Sequence, residues 1–428
     1  MITKEKWAEI IKDFQEKKMP PLILRSQMIK LEEDMKRAVS IIGPRRAGKT
    51  YEMFFLITQI REKHGSDKAL YINFERADLG NISSDDLVIM LETYYELHPQ
   101  NKGKKIWLFL DEIQNVTGWE RFVRSCLDES IAVFLSGSSS KLLSKEIATS
   151  MRGRNISYHI YPFSFKEYLS AKEFEIKKFY SSSEKATLSN LFEEYLVSGG
   201  YPETAIYSAE KDKIIKDIYD TAIYRDVIER GKIRNTKALK TLMKALLVAK
   251  EFSIHKFYNF SKSQGIKISK SLLYKYVELL NDAFFVFLLR KHSLSYKKSE
   301  QSIPKVYFID NGILTLNGID DKGRLLENLV FLELTRREKE IAYYQNSLKE
   351  EVDFIVKKGR KVTQLIQVCY DARDFMTRDR ELRVLLKASD EFKCNDLLLI
   401  TMHEEKEEKK DGKTIKIIPV SKWILEED

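Results

Sequence analysis

Apolar positions follow two spacings along the first 160 residues. Short β-rich or unbroken apolar runs occupy 69–76, 106–110 and 131–135, and another ends at Ile41 and Ile42. Continuous apolar runs of this length are typical of strands buried in a parallel sheet. Between them, apolar residues recur at helical spacing within 51–65, 84–97 and 119–129. The pattern predicts an α/β core, preceded by a helix within residues 1–30 that Pro20 and Pro21 interrupt.

The rest of the chain predicts helices first and a second sheet afterwards. Residues 162–235 have a helical pattern, and three further helices are expected within 236–292. From about 301 the pattern becomes α/β. It predicts a helix over 324–340, a hairpin over 351–371, and strands at 397–401 and 415–420. We expect the charged run HEEKEEKK, residues 403–410, to be a solvated loop.

A glycine-rich loop follows the first strand. Residues 43–50, GPRRAGKT, complete the pattern G-x-x-x-x-G-K-[ST], in which backbone N–H groups cradle phosphates. Gly43 and Gly48 permit the tight turn, Lys49 reaches the β- and γ-phosphates, and Thr50 offers a hydroxyl to Mg²⁺. The helix that begins there favours phosphates at its N-terminus. The residues predicted to contact ATP or ADP are Gly43, Pro44, Arg45, Arg46, Ala47, Gly48, Lys49, Thr50 and Tyr51.

Two carboxylates end the apolar run at 106–110. Asp111 and Glu112 then lie at the carboxyl end of a buried strand, beside the phosphate loop. We expect Asp111 to hold Mg²⁺ through its water shell and Glu112 to orient the attacking water. The next strand ends in Ser136, Gly137, Ser138 and Ser139. A hydroxyl there either senses the γ-phosphate or caps a helix, and the serines alone do not separate the two.

These motifs together resemble one family. GPRRAGKT, LFLDEIQ, SGSSSKLL, RGR and YPFSFKEYL are similar to segments of predicted AAA+ ATPases that carry a DUF4143-type C-terminal region. The resemblance implies a five-stranded parallel sheet with helices on both faces. It implies Ser136 or Ser138 as the sensor 1 residue. It also implies that Arg154, in the segment Arg152-Gly153-Arg154, acts as an arginine finger on the nucleotide of a neighbouring subunit.

Charge is concentrated in one segment. Residues 231–300 contain 15 Lys or Arg and 4 Asp or Glu, a net charge of +11 against +9 for the whole chain. A basic segment in a near-neutral chain suggests a polyanionic partner, although a solvated lysine-rich surface is the alternative. The three helices and a following wing resemble a winged helix. Its third helix, capped by Ser269, presents Lys270, Ser271, Tyr274 and Lys275, and such a helix normally enters the major groove of DNA.

The C-terminal pattern of helix, strand and second strand resembles the PD-(D/E)XK nuclease core. Asp353 matches the Asp of that motif and Glu327 the helical Glu. Gln367-Val368-Cys369 stands where Glu-x-Lys is expected. Gln is a weaker Mg²⁺ ligand than Glu, and Cys supplies no ammonium, so we expect the fold to survive without the usual cleavage.

The sequence thus predicts four domains. They are an AAA+ P-loop ATPase core at 1–161, a helical lid or linker at 162–235, a winged helix at 236–300 and a nuclease-like α/β domain at 301–428. The expected function is Mg²⁺-dependent ATP hydrolysis coupled to DNA, in a cytoplasmic protein that forms a homo-oligomer and does not contact membranes. There are two alternatives. One is a STAND-like signalling switch, in which the bound nucleotide controls contacts with protein partners and DNA is incidental. The other is an ATP-regulated nuclease.

Overall fold

The computed structural model describes residues 2–26, 29, 36–129, 131–138 and 153–426. The chain forms two compact units, residues 1–161 and 162–428. The further division of the second unit at 235 and 300 remains a prediction. Within the described part of the chain, no helix is both long and apolar enough to span a membrane.

The first unit is built on a five-stranded parallel sheet, as predicted. Its strand order is β2-β4-β6-β1-β7, and every pairing between neighbours is parallel. The strands are β1 (Ala38–Ile42), β2 (Ala69–Asn73), β4 (Ile106–Asp111), β6 (Ile131–Gly137) and β7 (Asn155–His159), and a separate pair joins β3 (Ile82–Ser83) to β5 (Val116–Thr117). The helices described in this unit are α1 (Lys4–Glu16), α2 (Lys49–His64), α3 (Ser84–Leu97) and α4 (Trp119–Asp128).

Strands β1 and β4 are buried along their whole length, which explains their largely apolar sequences. The rings of Phe109 on β4 and Phe134 on β6 stack at 4.6 Å between centroids. The pairing of Leu110 with Leu135 places the next residues, Asp111 and Ser136, side by side at the carboxyl edge of the sheet. Parallel strands therefore bring the polar ends of two apolar runs to one edge.

The second unit begins with helices. Up to residue 300 they are α5 (Phe165–Ala171), α6 (Ser182–Ser198), α7 (Pro202–Ile206), α8 (Lys211–Thr221), α9 (Thr236–Val248), α10 (Ile254–Ser263), α11 (Lys270–Asp282) and α12 (Tyr296–Glu300), with a π-helical continuation of α8 at Ala222–Glu229. The three helices predicted within 236–292 are present, and the Ser269 side chain caps α11 by accepting a hydrogen bond from the Leu272 N–H at 3.2 Å. An antiparallel pair, β8 (Val286–Leu289) and β9 (Lys305–Phe308), follows.

A mixed six-stranded sheet closes the second unit, in the order β10-β11-β12-β13-β15-β14. Its strands are β10 (Glu340–Gln345), β11 (Glu351–Lys358), β12 (Lys361–Cys369), β13 (Leu397–Thr401), β14 (Lys406–Lys410) and β15 (Lys413–Pro419). The accompanying helices are α13 (Asn311–Leu316), α14 (Lys322–Arg336), α15 (Phe375–Phe392) and α16 (Val420–Leu425). Leu365, Leu385 and Leu399 lie at the centre of its apolar core.

The expectation of a solvated loop at 403–410 is wrong over most of its length. Residues 406–410 form β14, an edge strand paired antiparallel with β15. The charged side chains stay at least partly exposed while the backbone groups complete the sheet, and charge is a common means of blunting a sheet edge. The turn between the strands contains Asp411 and Gly412, both with positive φ, and Asp-Gly is a strong hairpin signal.

Candidate nucleotide-binding site

Of the two glycines of the phosphate-loop motif, Gly48 has a left-handed backbone conformation and Gly43 does not. Gly48 adopts φ = 100°, directly before α2. Gly43 is required for a different reason, since a Cβ on it would lie 2.0 Å from the carbonyl oxygen of Ile160. One glycine thus supplies a left-handed turn and the other a close approach to the residue that follows β7.

Lys49 is buried beside the loop that precedes it. Its ammonium donates hydrogen bonds to the carbonyl oxygens of Gly43 and Pro44, each at 3.1 Å, and lies 3.6 Å from a carboxylate oxygen of Glu112. The contacts with Gly43 and Pro44 are to neutral carbonyls. Charged phosphate oxygens bind an ammonium more strongly than carbonyls do, so Lys49 can exchange these partners for phosphate.

Asp111 is fully buried at this edge of the sheet, and its carboxylate accepts hydrogen bonds from three hydroxyls. The hydroxyls of Thr50 and Tyr71 both donate to its Oδ2, at 2.8 and 2.7 Å, and Ser136 donates to its Oδ1. Burial, followed by the charge of Glu112, raises the pKa of Asp111 above its ordinary value. The Thr50 hydroxyl and the Asp111 carboxylate are hard oxygen donors of the kind that Mg²⁺ prefers, so this donor set fits the ion.

Glu112 lies at a backbone turn directly after Asp111. It has φ = 53°, a left-handed conformation that is uncommon for Glu. Its N–H donates to the Ser136 hydroxyl at 2.9 Å, and Gln114 donates to its carboxylate. Ser136, near the end of β6, therefore links the two adjacent carboxylates, and its role as a sensor of the γ-phosphate stays a prediction.

The other predicted site residues lie around this centre. Arg45 pairs with Glu75 at 2.8 Å, Arg46 is exposed with φ = 61°, and Tyr51 is 53% exposed on the first turn of α2. Ser138 is buried. Ser139 and Arg152 lie outside the described residues.

Arg154 is at the opposite edge of the sheet from the phosphate loop of its own chain. Its carbonyl accepts the N–H of Ala38, where β1 begins, whereas the loop follows Ile42. Four residues of strand separate the two edges by about 13 Å. The guanidinium pairs with Asp128 at 2.6 Å. Arg154 is therefore not part of the intramolecular site, and its action on a neighbouring subunit stays a prediction.

Two residues near the site were not identified from the sequence. Tyr71 donates to Asp111, as described. Arg25 donates hydrogen bonds from Nη2 to the carbonyls of Ala47, in the phosphate loop, and Tyr161, the latter at 3.0 Å. Neither residue belongs to a motif, and each reaches the site through contacts across 22 to 136 positions of sequence.

The second unit contains a buried charge cluster around Lys305. Its ammonium lies 2.8 Å from Glu327 on α14, and 2.7 and 2.9 Å from Glu351 and Asp353 on β11. Tyr307 also donates to Glu327, at 2.6 Å. The carboxylates hold the pKa of Lys305 well above its ordinary value, although burial opposes them. The two acidic residues predicted from the nuclease resemblance, Glu327 and Asp353, thus meet around an internal cation.

Both polar atoms of the Gln367 side-chain amide make hydrogen bonds. Its Oε1 accepts the N–H of Asp353 at 3.2 Å, and its Nε2 donates to Glu381 at 2.6 Å. Cys369 is buried, and burial raises the pKa of its thiol to about 11. Among the described residues, no group of three or more His, Cys, Asp or Glu is arranged to hold a metal ion.

The predicted contact face of α11 is solvent-accessible. Lys270, Ser271, Tyr274 and Lys275 are all exposed. The Lys270 ammonium lies 5.1 Å from the ring centroid of Tyr258 on α10, and α9 carries further exposed lysines at 237, 240 and 244. The basic segment therefore combines accessible cations with accessible aromatic surface.

Comparisons with known proteins divide the chain into three matched regions. The AAA domain family matches residues 35–169, a domain of unknown function (DUF8612) matches 189–323, and a second (DUF4143) matches 322–423. Uncharacterized protein MJ1544 of Methanocaldococcus jannaschii is 43% identical over 399 residues, covering 90% of this chain and 87% of that protein. An uncharacterized protein of Haemophilus influenzae is 29% identical over 395 residues, covering 90% and 94%.

Solved structures match less closely. The Aeropyrum pernix ORC1 protein in complex with DNA is 10% identical, with a TM-score of 0.31, over 74% of this chain and 91% of that chain. DnaA of Aquifex aeolicus bound to AMPPCP is 16% identical, with a TM-score of 0.26, over 59% and 73%.

Proposed function

Because this chain belongs to the family of AAA+ ATPases that carry a C-terminal DUF4143 domain, we propose that its first unit binds Mg²⁺-ATP and hydrolyses it. One observation carries the proposal. Lys49, Thr50, Asp111, Glu112 and Ser136 converge at one edge of a parallel sheet, next to a loop with the phosphate-binding sequence. Each of these residues has the chemistry that phosphoryl transfer requires at its position.

Each side chain has a separate role in the proposal. The loop N–H groups and Lys49 bind the phosphates, while Thr50 and Asp111 hold the magnesium ion. The ion, when bound, neutralises charge that develops on the phosphate oxygens. Glu112 orients the attacking water and accepts its proton. Ser136 keeps the two carboxylates in register, and we assign it the role of sensing the γ-phosphate.

DNA association is the second part of the proposal. In the winged helix that we propose for residues 236–300, the third helix carries exposed Lys270 and Lys275, and both lie within the segment 231–300 of net charge +11. These cations are suited to the phosphate backbone, so we expect little sequence preference. We also propose that the protein forms a homo-oligomer. In it, Arg154 of one subunit would complete the nucleotide site of a neighbouring subunit.

The C-terminal domain is proposed to be a non-cleaving module. Lys305 supplies the positive charge among Glu327, Glu351 and Asp353, and Gln367 is already hydrogen-bonded on both sides. This arrangement disfavours the nuclease alternative. The switch alternative differs from our proposal only in the partner, because there the winged helix contacts protein instead of DNA.

The test is the rate of phosphate release with Mg²⁺-ATP, with and without duplex DNA, together with the molar mass in solution. We expect turnover that requires Mg²⁺, is lost in Lys49→Ala and rises with DNA. Turnover that is unaffected by DNA would favour the switch. Equal turnover by wild type and Lys49→Ala would contradict the assignment of the site.

A further inference from the structure

Three hydroxyl groups hold Asp111, and one of them lies outside every recognisable motif. Thr50 belongs to the phosphate loop and Ser136 to the end of β6, as the sequence predicts. The third donor is Tyr71, in the middle of β2, whose hydroxyl is 2.7 Å from Asp111 Oδ2. A carboxylate has about four acceptor positions. Three are used by these hydroxyls, so about one remains for the water shell of a magnesium ion.

The direction of the Tyr71 hydroxyl is fixed by the packing of its ring. The ring stacks on Phe14 of α1 at 4.6 Å between centroids and lies 5.3 Å from the ring of Phe54 on α2. Only 8% of Tyr71 is exposed. An aromatic residue clamped from two sides has little freedom to move its hydroxyl, so the phenol is a rigid donor.

The register of the sheet explains how a residue so far from the loop reaches the site. Asn73 on β2 pairs with Asp111 on β4, and Tyr71 lies two positions before Asn73, on the same face of the strand. The long phenol bridges this offset. Phe14, which supports it, precedes the region matched by the AAA domain family, residues 35–169. The N-terminal helix is thereby connected to the metal side of the site.

We propose that Tyr71 is a positioning residue for magnesium: it fixes Asp111 so that the remaining acceptor position of the carboxylate faces the ion. The inference rests on the proposed function, because it assigns the magnesium ion to Thr50 and Asp111. Partners that orient a metal-binding group typically change metal affinity by 10–100-fold when they are removed. Tyr71 acts on binding of the ion and not on the chemical step.

Tyr71→Phe tests the proposal, because it removes one oxygen atom and keeps the ring between Phe14 and Phe54. Tyr94→Phe is the matched control. Tyr94 is also a fully buried tyrosine of the first unit, and its hydroxyl donates to the backbone carbonyl of Asp67, not to a site residue. The measurement is the binding of a fluorescent ATP analogue by the full-length protein during a magnesium titration, and again in EDTA.

We expect Tyr71→Phe to raise the magnesium concentration for half-maximal enhancement of nucleotide binding by about tenfold. Affinity in EDTA should stay within about twofold of wild type, and Tyr94→Phe should match wild type in both conditions. Phe14→Leu, which loosens the ring without removing the hydroxyl, should produce a smaller rise. It should add little when combined with Tyr71→Phe, because both changes act through one contact.

Two results would overturn the inference. One is a magnesium dependence in Tyr71→Phe equal to that of wild type. The other is an equal loss of affinity with magnesium and in EDTA, which is the behaviour expected of general damage to the site. Failure of the proposed function has a different signature, because the wild-type protein itself would then show no magnesium-dependent nucleotide binding.

Discussion

The two units each contain buried carboxylates near a lysine, but the lysine is used differently. In the first unit, Lys49 hydrogen-bonds to backbone carbonyls and remains 3.6 Å from Glu112. In the second, the ammonium of Lys305 lies within 2.9 Å of three carboxylates. A lysine has three N–H donors, so all of those on Lys305 are engaged by acids that a metal would otherwise need.

This difference distinguishes the site around Asp111, which can accept a metal ion, from the cluster around Lys305, whose carboxylates are already paired with an ammonium. Asp111 is held by three neutral hydroxyls, and Lys49 directs its hydrogen bonds to carbonyls, so none of these groups supplies Asp111 with a close positive charge. The cluster around Lys305 has its positive charge built into β9. The sequence motifs contain acidic residues in both sites. The hydrogen-bond donors that surround these acids decide which of the two sites is able to bind a metal ion.

The largest effect is expected for Glu112→Gln. Glutamine cannot accept the proton of the attacking water, so kcat should fall by about a thousandfold while ATP still binds, because Asp111 and Lys49 are intact. Phosphate release and nucleotide binding, measured on the same preparation, check this. Turnover at the wild-type rate would mean that the general base lies elsewhere.

Arg154→Ala should lower kcat by up to about a thousandfold without weakening ATP binding, if the guanidinium acts on the nucleotide of a neighbouring subunit. Asp128→Asn is the matched control, because it breaks the ion pair and keeps Arg154. Mixing Arg154→Ala with Lys49→Ala should restore activity where an intact site meets an intact arginine. A fully active monomer would exclude an action between subunits.

Lys305→Met tests the other half of the comparison. Removing the ammonium leaves three carboxylates close together. Removing one partner of a buried ion pair lowers the free energy of unfolding by about 3–5 kcal/mol. We expect hydrogen exchange of the amides of β11 and β12 to accelerate accordingly. Lys387→Met is the control, since Lys387 pairs with Glu350 near the surface and should change stability by less than about 1 kcal/mol. Equal effects of the two substitutions would show that Lys305 has no special role.

The smallest effect concerns the basic segment. Replacing Lys270 and Lys275 by Ala should weaken binding of duplex DNA and reduce the slope of log affinity against log salt by about two units. Fluorescence anisotropy at several salt concentrations measures this. Lys213→Ala with Lys216→Ala, on α8, is the matched control. A slope that is unaffected by the first pair would favour a winged helix that contacts protein.

Local patterns explain what could be predicted from the sequence. The phosphate loop and the apolar run before Asp111 are continuous segments, so their spacing identified both the elements and the residues at their ends. The side chains that complete each site come from distant positions. Lys305 is 48 residues from Asp353, and Tyr71 is 40 residues from Asp111. Periodicity cannot indicate such pairs, because it describes only which face of an element is apolar.

Gly199 and Gly200 illustrate the same limit in a structural role. They lie between α6 and α7, where glycine suits an ordinary turn between helices. In the structure, a Cβ on Gly199 would lie 1.8 Å from Asp310 Oδ1, and the N–H of Gly200 donates to Asp310 Oδ2 at 2.6 Å. Burial raises the pKa of Asp310 to about 7. Gly199 is therefore needed because any larger side chain would collide with the carboxylate of Asp310.

The most direct test of the account is calorimetric titration of Mg²⁺-ATP into wild type, Lys49→Ala and Lys63→Ala. Lys63 lies near the other end of α2, so it controls for the loss of a lysine from the same helix. We expect Lys63→Ala to bind as wild type does and Lys49→Ala to lose at least about a hundredfold in affinity, because the phosphates lose their charged partner. Undiminished affinity in Lys49→Ala would contradict the assignment of the nucleotide site on which the account is built.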